Sequence, residues 1–224
     1  MLRNWCLEIG LNITKEVERQ AEPFFVMTNE KIRFVTGQLY FVKEEFFQRF
    51  SSNSSISMPV KNNTSNGGRS NTGRPHICIS VPDPNRPLQT LIWLVPISSK
   101  VEKYETEIAK QRLKYGRCDK IQIVTVMGDK RAALIQNMIP CTPQYISGIY
   151  KDHHGKPVEL NRYDGVKVIE SARRLAVLHK NSPHSGFLFV DVQGIAKALV
   201  QDLIREDRLK QLREAEYAEA TVSR

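Results

Sequence analysis

Tyr40, Arg74, Ser98, Ser99, Lys100 and Lys103 are hydroxyl and cationic side chains set at the borders of apolar runs. The clearest case is "LIWLVPISSKVEKYE", where residues 91–97 are apolar and give way to two serines, then Lys100 and Lys103. Such a set suits phosphodiester chemistry on RNA. There the 2′-hydroxyl is itself the nucleophile, so no metal-bound water is needed. An enzyme has to orient the sugar, accept and return a proton, and hold the charge that develops on phosphorus. Arginine supplies a planar fork for phosphate, and a lysine crowded by other cations and partly removed from water is brought toward proton-transfer range. Hydroxyls complete the cage. The same Ser-Ser-Lys also reads, more plainly, as the cap of a helix that starts beside it.

Other chemistries leave local patterns that this chain lacks. G-x-S-x-G, H-E-x-x-H and the phosphate-cradling G-x-x-x-x-G-K-[ST] are absent. Ser99 and Lys103 are spaced S-x-x-x-K, one residue longer than the S-x-x-K of penicillin-recognising enzymes. Acidic residues are spread along charged helices and form no D-x-D or E-x-x-H set, so no two-metal ligand group is visible. His153 and His154 stand before "GKP" as an exposed turn, and His179 and His184 flank a Ser-Pro loop as surface residues. His76 opens a strand near Arg74, with a structural use or an RNA contact as the two readings. No cofactor is called for.

The chain has 224 residues, with 33 Lys and Arg against 24 Asp and Glu, a formal charge of +9 that suits a polyanionic partner. That length supports one well-buried domain with appendages, without a metal or disulfide staple. Cys6, Cys78, Cys118 and Cys141 include no C-x-x-C pair, which fits a reducing cytoplasm. No apolar stretch approaches the roughly 20 residues needed to span a bilayer, so a soluble cytoplasmic protein is expected.

The elements that position these groups follow from periodicity. Residues 1–26 lack a strand pattern and read as an N-terminal extension, leaving 27–204 as the domain and 205–224 as a charged tail fraying into solvent. A β-type run at 32–36 leads into a predicted helix carrying Leu39, Val42, Phe46 and Phe50. Residues 51–73 are rich in Ser, Asn and Gly, with Lys61 and Arg69 as the only charges, and read as a flexible insertion able to lie along a phosphate backbone. "HICISV" and "LIWLVPI" read as two central strands, and 99–115 as a helix with Val101, Tyr104, Ile108 and Leu113 on one side, ended by Gly116. "KIQIVTVMG" and "RAALIQNMIP" predict further strands, "TPQYISGIY" a short helix and "HHGKPVEL" a turn into an edge strand. Helices over 163–180 and 191–213 complete the pattern.

At these residues the chain resembles the toxins of type III toxin–antitoxin systems, the ToxN/AbiQ superfamily, and most of all its CptN and TenpN branches. The matching stretches are "IRFVTGQLY", "RPHICI", "VPISSKVEKYE", "YGRCDKI" and "GDKRAALIQNMIPCTPQYI", in family order, with a weaker match at "FVDVQGI". The resemblance implies an α+β fold: a compact, strongly bent antiparallel β-sheet with flanking helices, similar to the MazF and Kid toxins. It also implies a metal-independent endoribonuclease whose antitoxin is an RNA. In such systems the toxin cuts a repetitive transcript into pseudoknots, which then block it in RNA-mediated hetero-oligomeric rings, and release of the toxin cuts cellular RNA, including during phage infection.

Carried over by position, the family's tyrosine falls on Tyr40, its basic residue on Arg74 and its paired hydroxyls on Ser98 and Ser99. Lys100 follows the pair directly and Lys103 lies further on, so either lysine is the candidate assistant. Lys61, Arg69, His76, Arg131, Gln136 and Asn137 are the expected RNA-binding positions. Two rival readings stand beside this one: a catalytically silent RNA-binding protein that regulates its own message, and a metal-dependent nuclease or phosphatase using His153 and His154.

Overall fold

A computed structural model describes residues 34–51, 73–80, 91–182 and 186–222. The expected extension at 1–26 and nearly all of the expected insertion at 51–73, with Lys61 and Arg69, lie outside the described residues. His184 lies outside them as well.

Among the described residues the chain forms an α+β fold with an antiparallel sheet of seven strands and four α-helices. Strand β1 (Leu39–Val42) leads into α1 (Glu44–Ser51), followed by β2 (Pro75–Ser80), β3 (Ile92–Ser98) and α2 (Val101–Tyr115). Then come β4 (Ile121–Val126), β5 (Asp129–Leu134), β6 (Ile139–Cys141) and β7 (Ile146–Ile149). Helices α3 (Arg162–Asn181) and α4 (Val192–Val222) complete the molecule. The strand order is β4-β5-β3-β2-β1-β7, and β6 adds to β3 off this path.

Strand β3 organises the sheet. Ile92, Trp93, Leu94 and Val95 are fully buried, as expected of a strand that is apolar from Ile92 to Ile97. Along one side β3 pairs with β2, while along the other it pairs first with β6, at Ile92, Trp93 and Leu94, and then with β5, at Ile97 and Ser98. Pro96 falls in the interval between these two partners. It has no N–H to give, so it is placed where the ladder on that side is already interrupted.

The helices close the faces. Phe46, Phe47 and Phe50 bury one side of α1, and Arg49 joins α1 to α4 through an ion pair with Asp202 while donating to the Tyr145 hydroxyl at 2.8 Å. Helix α2 covers a smaller cluster of Ile108, Cys118, Ile121, Ala132 and Leu134. Asn161 caps α3 by accepting from the Asp164 N–H, and the buried Asp164 carboxylate accepts from the Thr125 N–H at 2.8 Å, which fastens the helix start to β4.

Several sequence expectations are corrected. Leu39 and Val42 belong to a strand, and the helix begins only at Glu44. Every residue of β1 except Phe41 is buried, so its apolar spacing matches a helical period as well as a strand. "RAALIQNMIP" divides into β5, a 3₁₀ turn at Ile135–Asn137 and β6. The helix expected from Thr142 is a single 3₁₀ turn, Pro143–Tyr145, followed by β7 paired with β1. The edge strand after "HHGKP" is reduced to isolated bridges, Lys151 with Pro157 and Gln38 with Glu159. Leu113, assigned to the inner side of α2, is 92% exposed. Helix α4 continues through the expected tail to Val222.

Candidate active site

At the end where β3 runs into α2, the surface is hollowed into a cleft of about 540 Å³. Its lining includes Arg74, Ser98, Ser99, Lys100, Lys103 and Arg131. Register explains the gathering. His76 stands opposite Pro96, so continuing the β2–β3 ladder by two residues sets Arg74 across from Ser98. Ser98 stands opposite Ala132, so one residue further along the β3–β5 ladder Arg131 faces Ser99. The two arginines therefore flank the serine pair from the two neighbours of β3.

The serines are held in a turn and do not cap the helix. The Ser98 hydroxyl accepts from the Lys100 N–H at 3.3 Å, the Val101 N–H donates to the Ser99 carbonyl at 2.9 Å, and the N-cap position of α2 is Lys100, with no side-chain cap bond. Ser99 and Lys100 are exposed. Lys103 sits in the first turn of α2, where the helix dipole disfavours a cation by about 0.3–1 kcal/mol. Its ammonium lies 5.7 Å from the centre of the Tyr104 ring. Both lysines are exposed, so neither is desolvated in the way the sequence reading had it.

Arg74 is different. Burial holds its pKa below the usual arginine value, opposed by its interaction with Tyr104. A guanidinium already stripped of part of its water binds a phosphate with less further desolvation and in a weaker-screening medium. Among the lining residues Asp129 is the sole carboxylate, and it pairs with Arg131 at 2.8 Å. That pairing orients the Arg131 fork, and the lining sets four cations, Arg74, Lys100, Lys103 and Arg131, against this one carboxylate.

Tyr40, His76, Gln136 and Asn137 do not line this cleft. Tyr40 is fully buried against Phe34, and its hydroxyl accepts from the Val35 N–H at 2.9 Å and donates to the Gln38 side-chain oxygen. Burial raises its pKa to about 12. The expectation of a nucleotide contact is corrected: this hydroxyl is consumed in holding the chain as it enters β1. Tyr40→Phe is expected to cost about 1–3 kcal/mol of stability by orphaning buried partners, with RNA cleavage per folded molecule unchanged. Urea unfolding and an activity assay on the same preparation check both halves.

His76 is also fully buried, and burial followed by the Arg74 charge pushes its pKa down to about 3, so it is a neutral core residue beneath the arginine. Gln136 and Asn137 lie in the 3₁₀ turn that carries the chain from β5 to β6. The Gln136 backbone is bonded to Lys120 and Phe189. His179 is buried in α3, against the expectation of a surface position. The His153 and His154 rings lie 3.8 Å apart, centre to centre, tilted by 46°, in an exposed turn. Among the described residues no group of three or more His, Cys, Asp or Glu side chains gathers as a metal-ligand set. No described helix is long and apolar enough to cross a membrane.

Sequence reasoning passed over Tyr104, Met127, Asp129 and Tyr150 as site residues, and with Pro75, Ile97 and Val126 they complete the lining. Met127 alone carried a signal: it precedes Gly128 in a two-residue hairpin turn, a place where Asn or Asp is usual.

No protein-family model matches the sequence, and no curated protein sequence matches it. Comparison of folds does find a match. The chain folds like AbiQ. That protein is a lactococcal anti-phage endoribonuclease belonging to the type III toxin–antitoxin system; the TM-score is 0.52 at 12% identity, over 75% of this chain and 99% of AbiQ. The likeness extends to the architecture, the α+β arrangement expected from the sequence. At this identity it assigns no residue, and the site rests on the cleft's own geometry.

Proposed function

We propose that this protein is an endoribonuclease toxin of a type III toxin–antitoxin system, which cleaves RNA without a metal and is held inactive by an RNA antitoxin that it also processes. The observation that carries the reading is the cleft: Arg74, Lys100, Lys103 and Arg131 around Ser98 and Ser99, in a chain with the fold of an endoribonuclease.

Arg74 and one of the lysines bind the non-bridging oxygens of the scissile phosphate, and Ser99, with Ser98 behind it, positions the group. The 2′-oxygen attacks phosphorus, the bond to the 5′-oxygen breaks, and the 5′-oxygen leaves with a proton. The 2′-hydroxyl proton passes to a basic group of the cleft, for which the lining offers the Asp129 carboxylate, while a lysine ammonium can supply the proton that the 5′-oxygen takes. The products are a 2′,3′-cyclic phosphate and a free 5′-hydroxyl. Because several phosphates are engaged, binding falls steeply with salt, and the antitoxin RNA is read by shape and by unpaired bases.

The test is incubation of purified protein with RNA in excess EDTA, with the new 5′ ends labelled by polynucleotide kinase without prior dephosphorylation. Cleavage giving directly labelled ends is the expected result. Binding without cleavage favours the silent RNA-binding protein, and cleavage restored only by added metal favours the metal-dependent nuclease.

A further inference from the structure

The hairpin between β4 and β5 pairs Val126 with Asp129, so its loop is Met127 and Gly128 alone. Both have positive φ, 53° and 85°, the geometry of a type I′ turn. Gly128 suits its place. Met127 does not: among the described residues it is the only non-glycine with positive φ, a position that asparagine, aspartate or glycine occupies with less strain. Nor does packing account for it, since Met127 is 50% exposed. A strained and exposed apolar side chain is therefore kept at a turn where a polar residue would be more stable, and that turn forms one wall of the cleft.

The rest of the lining says what such a side chain faces. Alongside its cations the cleft carries two partly exposed aromatic rings, Tyr104 and Tyr150. A phosphate alone has no use for apolar faces, whereas a nucleobase turned out of a stack needs them, and a polarizable thioether packs well on a ring. We propose that Met127 is a specificity-determining residue, supporting an unstacked base beside the scissile phosphate. The cleft then selects single-stranded or looped RNA over duplex. This rests on the ribonuclease reading above and deepens it.

The experiment compares the parent protein with Met127→Asn and Met127→Leu. M127N places the favoured residue in the turn, so its Tm is expected to rise, while kcat/KM on a single-stranded oligoribonucleotide falls about tenfold, the worth of one stacked base. M127L, apolar but without the thioether, is expected to lose less activity than M127N. Substrates made abasic at each nucleotide next to the cut locate the supported base: at one of them the parent and M127N become equal. The Kd of a non-cleavable 2′-deoxy analogue is measured in parallel. Unchanged kcat/KM and Kd in M127N overturn the role of Met127 while the nuclease reading stands. A parent protein that neither cuts nor binds RNA overturns both.

Discussion

Arg74→Ala is expected to reduce RNA cleavage by about 10²–10³-fold, the usual effect of deleting a donor aimed at charge that develops in the transition state. The size follows from position. Arg74, like Arg131, is partly withdrawn from water, and ladder register carries it across from Ser98, whereas Lys100 and Lys103 are exposed and screened. Urea unfolding of R74A and the parent, run in parallel, separates any change in stability from the loss of rate. Arg74→Lys is expected to recover only part of the rate, since an ammonium is a point charge and cannot grip two phosphate oxygens at once. Single-turnover rates for the three proteins check the series. An R74A protein as fast as the parent removes Arg74 from the site.

The second large effect is expected at the serines, and the two should behave differently. Ser99 is exposed and its hydroxyl holds no turn bond, so Ser99→Ala is expected to lower the cleavage rate by about tenfold to a hundredfold, with Tm unchanged. The Ser98 hydroxyl accepts from the Lys100 N–H. Ser98→Ala should therefore loosen the turn that aims Lys100, costing about 0.5–1.5 kcal/mol of stability together with rate. Growth inhibition on induction, at matched expression, gives the cellular readout. If both variants inhibit growth as the parent does, the chemistry lies elsewhere in the protein.

Much of this cleft was legible in the sequence for a definite reason. Arg74, Ser98, Ser99 and Lys100 are polar residues at the ends of strongly apolar strands, with Lys103 in the helix turn that follows, and such ends are where a sheet returns its chain to water. What could not be read was pairing. Nothing local in "GDKRAA" says that β5 joins the last two residues of β3, which is the step that delivers Arg131 and Asp129 to the cleft. Tyr40 failed for the opposite reason. Its hydroxyl looked free for chemistry, but Gln38 and the Val35 N–H, both within five residues, already satisfy it. In the same way Thr-Pro before Gln144 is a sound helix start, but Ile146 and Ile149 gain more as the partner of β1, and tertiary pairing decides.

Arg74 stands just before β2 and Ser98 closes β3, so the cleft sits at one end of this strand pair and the Ser80–Trp93 pairing at the other. One residue added within β3 itself would turn every later side chain to the opposite face and dismantle the centre without touching a single one of its members.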